Sequence, residues 1–142
     1  MKPHILAAYP FSAEFMQKLA TCASVSGPVD LRTSDWRLTA DAAKATILVT
    51  IGAREMSAAL MDELPSLRLI CCYGSGYEGV DLEHAKKRGI KVTHSPGANA
   101  AAVAELAIGL LLAASRQIVA ADRTIRDGRW ADGSAAPTPA AI

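Results

Sequence analysis

The sequence is poor in large rings, with two tryptophans, three tyrosines and two phenylalanines in 142 residues. Its hydrophobic share is nevertheless 51%. The apolar content therefore rests on aliphatic and small side chains, 28 of them alanine, which suit close helix packing. Cysteine is scarce too: Cys22, Cys71 and Cys72 form no C-x-x-C pair, an odd, sparse set that reads as reduced thiols in the cytoplasm. No His, Cys and acidic residues fall at metal-ligand spacing, so no metal is expected. A net charge of +1 provides no field for nucleic acid or anionic lipid. No apolar run reaches the roughly 20 residues that cross a bilayer, and the N-terminus lacks the apolar core and cleavage site of a signal peptide. With 20% charged residues the composition excludes a disordered chain, and the length fits one ordinary domain.

What is present begins with alternation. His4–Tyr9 is a predicted strand, and Ser12 is placed to cap a helix running to about Thr21. A weak strand is expected between Ser24 and Arg32, beside the Gly27-Pro28 punctuation, then a short helix over Thr39–Lys44. Ala45–Ile51 is β-branched and continuous, the pattern of a strand buried on both faces. A helix over Ser57–Leu64 is stopped by Pro65. Leu67–Tyr73 is another strand, Leu82–Arg88 a two-turn helix, and Ile90–Thr93 a last short strand. Strands and helices alternating at this spacing predict right-handed crossovers and a parallel sheet, a flavodoxin-like α/β layer over residues 1–97.

After Ser95-Pro96-Gly97 the texture changes. From Asn99 to Asp127 there is no proline and one internal glycine, which predicts a single helix of roughly 29 residues, about 43 Å long. Val103, Ala107, Leu110, Ala114, Ile118, Ala121 and Ile125 form one stripe. Between Ala100 and Ser115 the other faces are apolar as well, so that half is expected to be buried on several sides, with Glu105 needing a partner. Such a surface calls for a second body. Residues 128–142 have the composition of a linker, with Trp130 as a candidate interface anchor.

Gly74-Ser75-Gly76-Tyr77-Glu78-Gly79 follows a strand and fits G-x-G-x-x-G. Three features argue against a dinucleotide site: the helix starts late, it is short, and the next strand ends in Val92-Thr93-His94 with no ribose-binding acid. The glycines still leave backbone donors open to a smaller anion such as a carboxylate, or else they serve only a tight turn that needs positive φ. Elsewhere, His84 reads as a solvated helix residue, His94 as a turn or capping residue, and His4 has no visible partner. Cys71 and Cys72 alternate faces of a buried strand as small hydrophobes. Lys86-Lys87-Arg88 reads as a wet face.

Several segments in order then carry a resemblance. These are Leu60–Ile70, Gly74–Asp81, Lys87–Thr93, Ser95-Pro96-Gly97-Ala98-Asn99 with Val103-Ala104-Glu105-Leu106-Ala107, and Asp127-Gly128-Arg129-Trp130. Together they resemble the D-isomer-specific 2-hydroxyacid dehydrogenases, with the flavour of the glyoxylate/hydroxypyruvate reductase branch. The resemblance implies that residues 1–97 build the N-terminal part of the substrate domain. Residues 98–127 then form an interdomain and dimerisation helix, leading into a nucleotide-binding domain that opens in 128–142. It implies a small 2-oxo or 2-hydroxy acid substrate held on Gly74, Ser75 and Gly76, with Ile51 and Gly52 as further lining. It also implies NAD or NADP as cofactor, a homodimer through 99–127, and Val103 near the nicotinamide where relatives often carry threonine. The family's catalytic arginine, acid and histidine, and its nucleotide fingerprint, fall beyond Ile142. The 142-residue chain is therefore expected to have no catalytic residue and no activity alone. The alternative is a non-catalytic dimeric module that binds a small carboxylate.

Overall fold

A computed structural model describes residues 2–29, 37–131 and 133. The chain divides into two compact units, Met1–Ala98 and Asn99–Ile142. In the first unit, strands β1 (His4–Ala7), β2 (Ser24–Ser26), β3 (Ile47–Thr50), β4 (Leu69–Cys72) and β5 (Lys91–Thr93) alternate with helices α1 (Ala13–Cys22), α2 (Ala58–Asp62) and α3 (Leu82–Lys87). All strand pairs are parallel and the order is β2-β1-β3-β4-β5. This is the flavodoxin-like arrangement that the alternation predicts.

Each helix begins where the sequence places a cap. Ser12 accepts the Phe15 N–H at 3.3 Å, Ser57 the Leu60 N–H at 3.4 Å, and Asp81 the His84 N–H at 2.9 Å, satisfying donors that a helix start leaves open. The expected helix over Thr39–Lys44 is instead a single 3-10 turn at Ala42–Lys44. There Thr39 Oγ1 takes the Ala42 N–H at 3.1 Å, and the Lys44 N–H closes on Asp41 O after three residues. His4, with no partner evident in sequence, lies 2.8 Å from Ser26 Oγ.

The continuous apolar strands are buried on both faces, as period-two alternation requires. Leu6, Leu48 and Ile70 point to one side and pack with Met56, Leu60, Met61 and Leu64. Ile5, Val49, Ile47 and Cys71 point to the other, where Phe15 and Leu19 of α1 meet them. Beside α1 that second face opens into a groove of about 310 Å³, floored by Val49, Leu69, Cys71 and Thr93. His84 is not the free surface residue expected. α2 and α3 lie side by side, so His84 Nε2 sits 2.9 Å from the carboxylate of Asp62. Arg88, read as part of a wet face, donates to the carbonyls of Met61 and Leu64, closing the end of α2.

Burial separates the cysteines. Cys72 is buried in the core and Cys22 is exposed. Burial pushes the Cys72 thiol up from its ordinary value, with Cys71 and Glu78 adding to the effect. Since the thiolate is the reactive form, iodoacetamide at neutral pH is expected to label Cys22 in the native protein and Cys72 only after denaturation. Peptide mass mapping checks this, and native labelling of Cys72 at the rate of Cys22 would contradict it.

The second unit corrects the expected single helix. Residues 99–127 form two helices, α4 (Ala100–Ser115) and α5 (Ile118–Arg126), bent by 60° at the break. Gln117 adopts left-handed backbone at φ 53°, and its N–H closes back on the Ala114 carbonyl at 3.2 Å, as in a helix-ending cap. The spacing of apolar residues in the sequence carries no mark of such a break, although the bend means that the residues before and after it no longer share one helix face. No single described helix is long and apolar enough to cross a membrane. Within this chain no residue of α4 is buried, and Leu106, Leu110 and Leu111 are each about 60% exposed, the apolar surface for which the sequence calls for a second body. Glu105 is exposed within this chain as well.

Candidate functional site

In a parallel sheet the loops that follow the strands share one edge, and flavodoxin-like folds bind ligands at that edge. Here it carries the turn after β3 (Ile51–Ser57), the glycine loop after β4 (Tyr73–Asp81) and the segment after β5 from His94. The first two are clamped together backbone to backbone. The Gly79 N–H donates to Gly52 O at 2.7 Å, the Met56 N–H to Gly79 O at 2.8 Å, and the Asp81 N–H to Met56 O at 3.1 Å. The fit allows no side chain at Gly52, where a Cβ would overlap the Gly76 carbonyl, or at Gly79, where it would overlap the Arg54 carbonyl. Gly74 turns the chain out of β4 at φ +126°, a region L side chains rarely enter.

His94 holds the loop from the third side. Its Nδ1 lies 2.9 Å from the Ser75 carbonyl, its ring packs edge-on against Tyr77 with centroids 4.8 Å apart, and the Ser95 N–H donates to Gly74 O at 2.8 Å. His94, read from the sequence as a turn or capping residue, instead reaches across 19 residues to the glycine loop and lines the groove beside α1.

The disposition of the loop's amides decides what it can hold. Tyr73 N–H is taken by Thr50 O, Val80 N–H by Tyr77 O and Gly79 N–H by Gly52 O, while Tyr77 N–H is taken by the Glu78 carboxylate at 2.9 Å. Among the described residues, the N–H groups of Gly74, Ser75 and Gly76 have no protein acceptor. Consecutive unpaired amides are donors that a small anion can take up, and the Glu78 carboxylate, on the Tyr77 N–H, lies beside them. A dinucleotide pyrophosphate does not fit, because the third glycine is spent on the clamp and α3 starts only at Leu82.

Of the residues singled out from sequence, Gly52 and Gly74–Gly76 come together here, and Ile51 is half-buried at the end of β3. Val103 lies in the second unit, on α4. Sequence reasoning missed Arg54 and Tyr9. Arg54 Cζ lies 5.8 Å from the centre of the Tyr9 ring, joining the loops after β3 and β1. Their only signal was position, Tyr9 closing a predicted strand and Arg54 following one.

Comparison with known proteins agrees with this architecture. The family model for the D-isomer specific 2-hydroxyacid dehydrogenase catalytic domain matches residues 7–138. A glyoxylate reductase of Thermofilum pendens is 47% identical over 76 residues, covering 54% of this chain and 22% of that protein. A hydroxypyruvate reductase of Thermotoga maritima is 39% identical over 84 residues, covering 59% and 28%. Among solved structures, a 2-hydroxyacid dehydrogenase from Ketogulonicigenium vulgare superposes with a TM-score of 0.85 at 33% identity, over 100% of this chain and 45% of that one. An NADPH-dependent glyoxylate/hydroxypyruvate reductase from Sinorhizobium meliloti, in complex with NADP and malonate, gives 0.79 at 30% identity over 98% and 42%. The chain thus spans less than half the length of these relatives. With nearly all of its length matched by the family model, the chain belongs to the D-isomer specific 2-hydroxyacid dehydrogenase family.

Proposed function

We propose that this chain supplies the acid-binding part of an NAD(P)-dependent reductase that converts a small 2-oxo acid, such as glyoxylate or hydroxypyruvate, to its D-2-hydroxy acid. The observation that carries the reading is the run of three amides at Gly74–Gly76 with no acceptor among the described residues, flanked by the spent amides of Tyr73 and Tyr77. A carboxylate seated on those donors is fixed in place, and fixing it orients the adjacent C2 carbonyl toward whatever delivers hydride. Gly52 and Ile51 line the approach, and His94 holds the Ser75 carbonyl so that the amides on either side of it keep their direction. A nicotinamide, when bound, supplies the hydride. The described residues offer no cradle for its pyrophosphate, so no step is assigned to them there. Residues 1–97 act in this reading as the substrate unit and 98–127 as the segment leading to a nucleotide unit, with Val103 facing the cofactor. The names of the relatives support a nicotinamide cofactor and leave NAD and NADP as equal alternatives. The proposed setting is the cytoplasm.

A second reading is a non-catalytic homodimeric module that binds a small carboxylate. The exposed leucines of α4 favour it, since helix faces of this kind mark association surfaces.

Titrating the 15N-labelled chain with glyoxylate or hydroxypyruvate tests the shared element of both readings. The amides of Gly74, Ser75 and Gly76 are expected to shift together and saturate, while those of α3 stay in place. The same chain with NADH or NADPH is expected to give no oxidation of the nicotinamide. Turnover would overturn the expectation of inactivity, and silent loop amides would overturn the carboxylate site.

A further inference from the structure

Glu78 places a negative charge beside the amides on which an acid is proposed to sit. Residues 74–77 present four consecutive backbone N–H groups, and the last of them already holds a carboxylate, the chain's own. The Tyr77 N–H donates to Glu78 Oε2 at 2.9 Å. The same oxygen lies 2.5 Å from where a Cβ on Gly76 would stand. It is therefore within about 5 Å of the Gly76 nitrogen, since N and Cβ of one residue are about 2.5 Å apart. The backbone on either side is anchored. Tyr77 O accepts the Val80 N–H at 3.0 Å, and the Gly79 N–H donates to Gly52 O at 2.7 Å. The carboxylate thus stays tethered at the rim of the loop even when its own hydrogen bond opens. Among the described residues, no lysine, arginine or histidine pairs with it. Its charge also reaches the end of β4, where it adds to burial and Cys71 in pushing up the Cys72 thiol.

An acid seated on the Gly74–Gly76 amides brings its own charge to within about 8 Å of this carboxylate, one hydrogen-bond length beyond the Gly76 nitrogen. Like charges at that range repel, and the repulsion doubles for a ligand that carries two of them. Unpaired amides by themselves hold a doubly charged anion at least as well as a carboxylate, so an acid at the rim opposes that order. Building on the carboxylate reading of the loop, we propose that Glu78 sets the charge that the site accepts. It admits singly charged carboxylates and disfavours doubly charged anions such as sulfate.

Glycolate and sulfate, one singly and one doubly charged at neutral pH, test this on the 15N-labelled chain, with the Gly74–Gly76 amides as reporters. The unaltered chain is expected to bind glycolate more tightly than sulfate. Glu78→Gln removes the charge and keeps an oxygen that can accept the Tyr77 N–H. It is expected to tighten glycolate about fivefold and sulfate about 25-fold, because the gain in free energy doubles with the ligand's charge. Glu78→Ala, which loses charge and acceptor together, is expected to show the same unequal gain and carries the test if the glutamine variant does not fold. Tighter binding of sulfate than of glycolate by the unaltered chain would overturn the proposal. So would an equal change for the two anions in a folded variant, or weaker binding of both, the result of a Glu78 that only holds the Tyr77 N–H. Each of these leaves the loop reading standing. If neither anion moves the loop amides in any of the chains, the loop reading itself fails and the role of Glu78 falls with it.

Discussion

Replacing Gly52 by alanine is expected to destabilise the first unit by about 3 kcal/mol and to abolish anion binding at the glycine loop. The added Cβ would overlap the carbonyl of Gly76 and crowd the Tyr77 nitrogen at 2.6 Å. Both are backbone atoms, so no rotamer change relieves the clash. The loop must lift off the turn after β3, which breaks the Gly79-to-Gly52 bond and releases the direction of the three free amides. Gly76 provides the contrast within the same loop. A Cβ there meets the Glu78 carboxylate at 2.5 Å, the far end of a flexible exposed side chain, which swings away at little cost. Gly76→Ala is therefore expected to melt within a few degrees of the unaltered chain, whereas Gly52→Ala loses about 4–8 °C for each kcal/mol. Thermal unfolding of the two variants checks the pair, and equal melting temperatures would refute the clamp.

Ile70→Ala is expected to cost a similar amount, about 3 kcal/mol, by a different route. Ile70 is fully buried on β4, packed among Leu6, Leu48, Met61 and Leu64. Truncating it leaves a void between the sheet and α2 that a close-packed interior fills only in part. Ile70→Val, which removes one methylene, is expected to cost about 1 kcal/mol. The site separates this variant from Gly52→Ala. Below its lowered melting temperature, Ile70→Ala keeps the loop clamp and is expected to bind glyoxylate as the unaltered chain does. Denaturant unfolding gives the stability, and loop-amide titration gives the binding. A loss of binding in folded Ile70→Ala would mean that the core, rather than the clamp, sets the amide geometry.

Much of the architecture was legible in the sequence because its causes are local. Ser12, Ser57 and Asp81 announce helix starts by chemistry that acts over three residues. Ile47–Thr50 and Leu69–Cys72 announce buried strands by unbroken apolar runs. The glycine loop was legible as a turn with open donors, and its failure as a dinucleotide site was visible in the late start of the following helix. The two-helix form of 99–127 was not legible. Gln117 is neither glycine nor proline, and periodicity passes unchanged through a single left-handed residue. The contact of His84 with Asp62 was also hidden, since Asp62 lies 22 residues away and meets it only across two packed helices.

The sequence alone determined the order and type of the elements, the parallel sheet they imply, the family, and the loop on which an acid is proposed to sit. Each follows from patterns within a turn or a strand, or from motifs in a fixed order. Tertiary structure alone decided which amides of that loop are spent and which lack an acceptor among the described residues, that Gly52 is the surface against which it is clamped, and that Arg54 stands over Tyr9. These depend on contacts between loops that follow different strands. The residues that meet there are far apart in the chain and are brought to one edge only when the strands align in parallel.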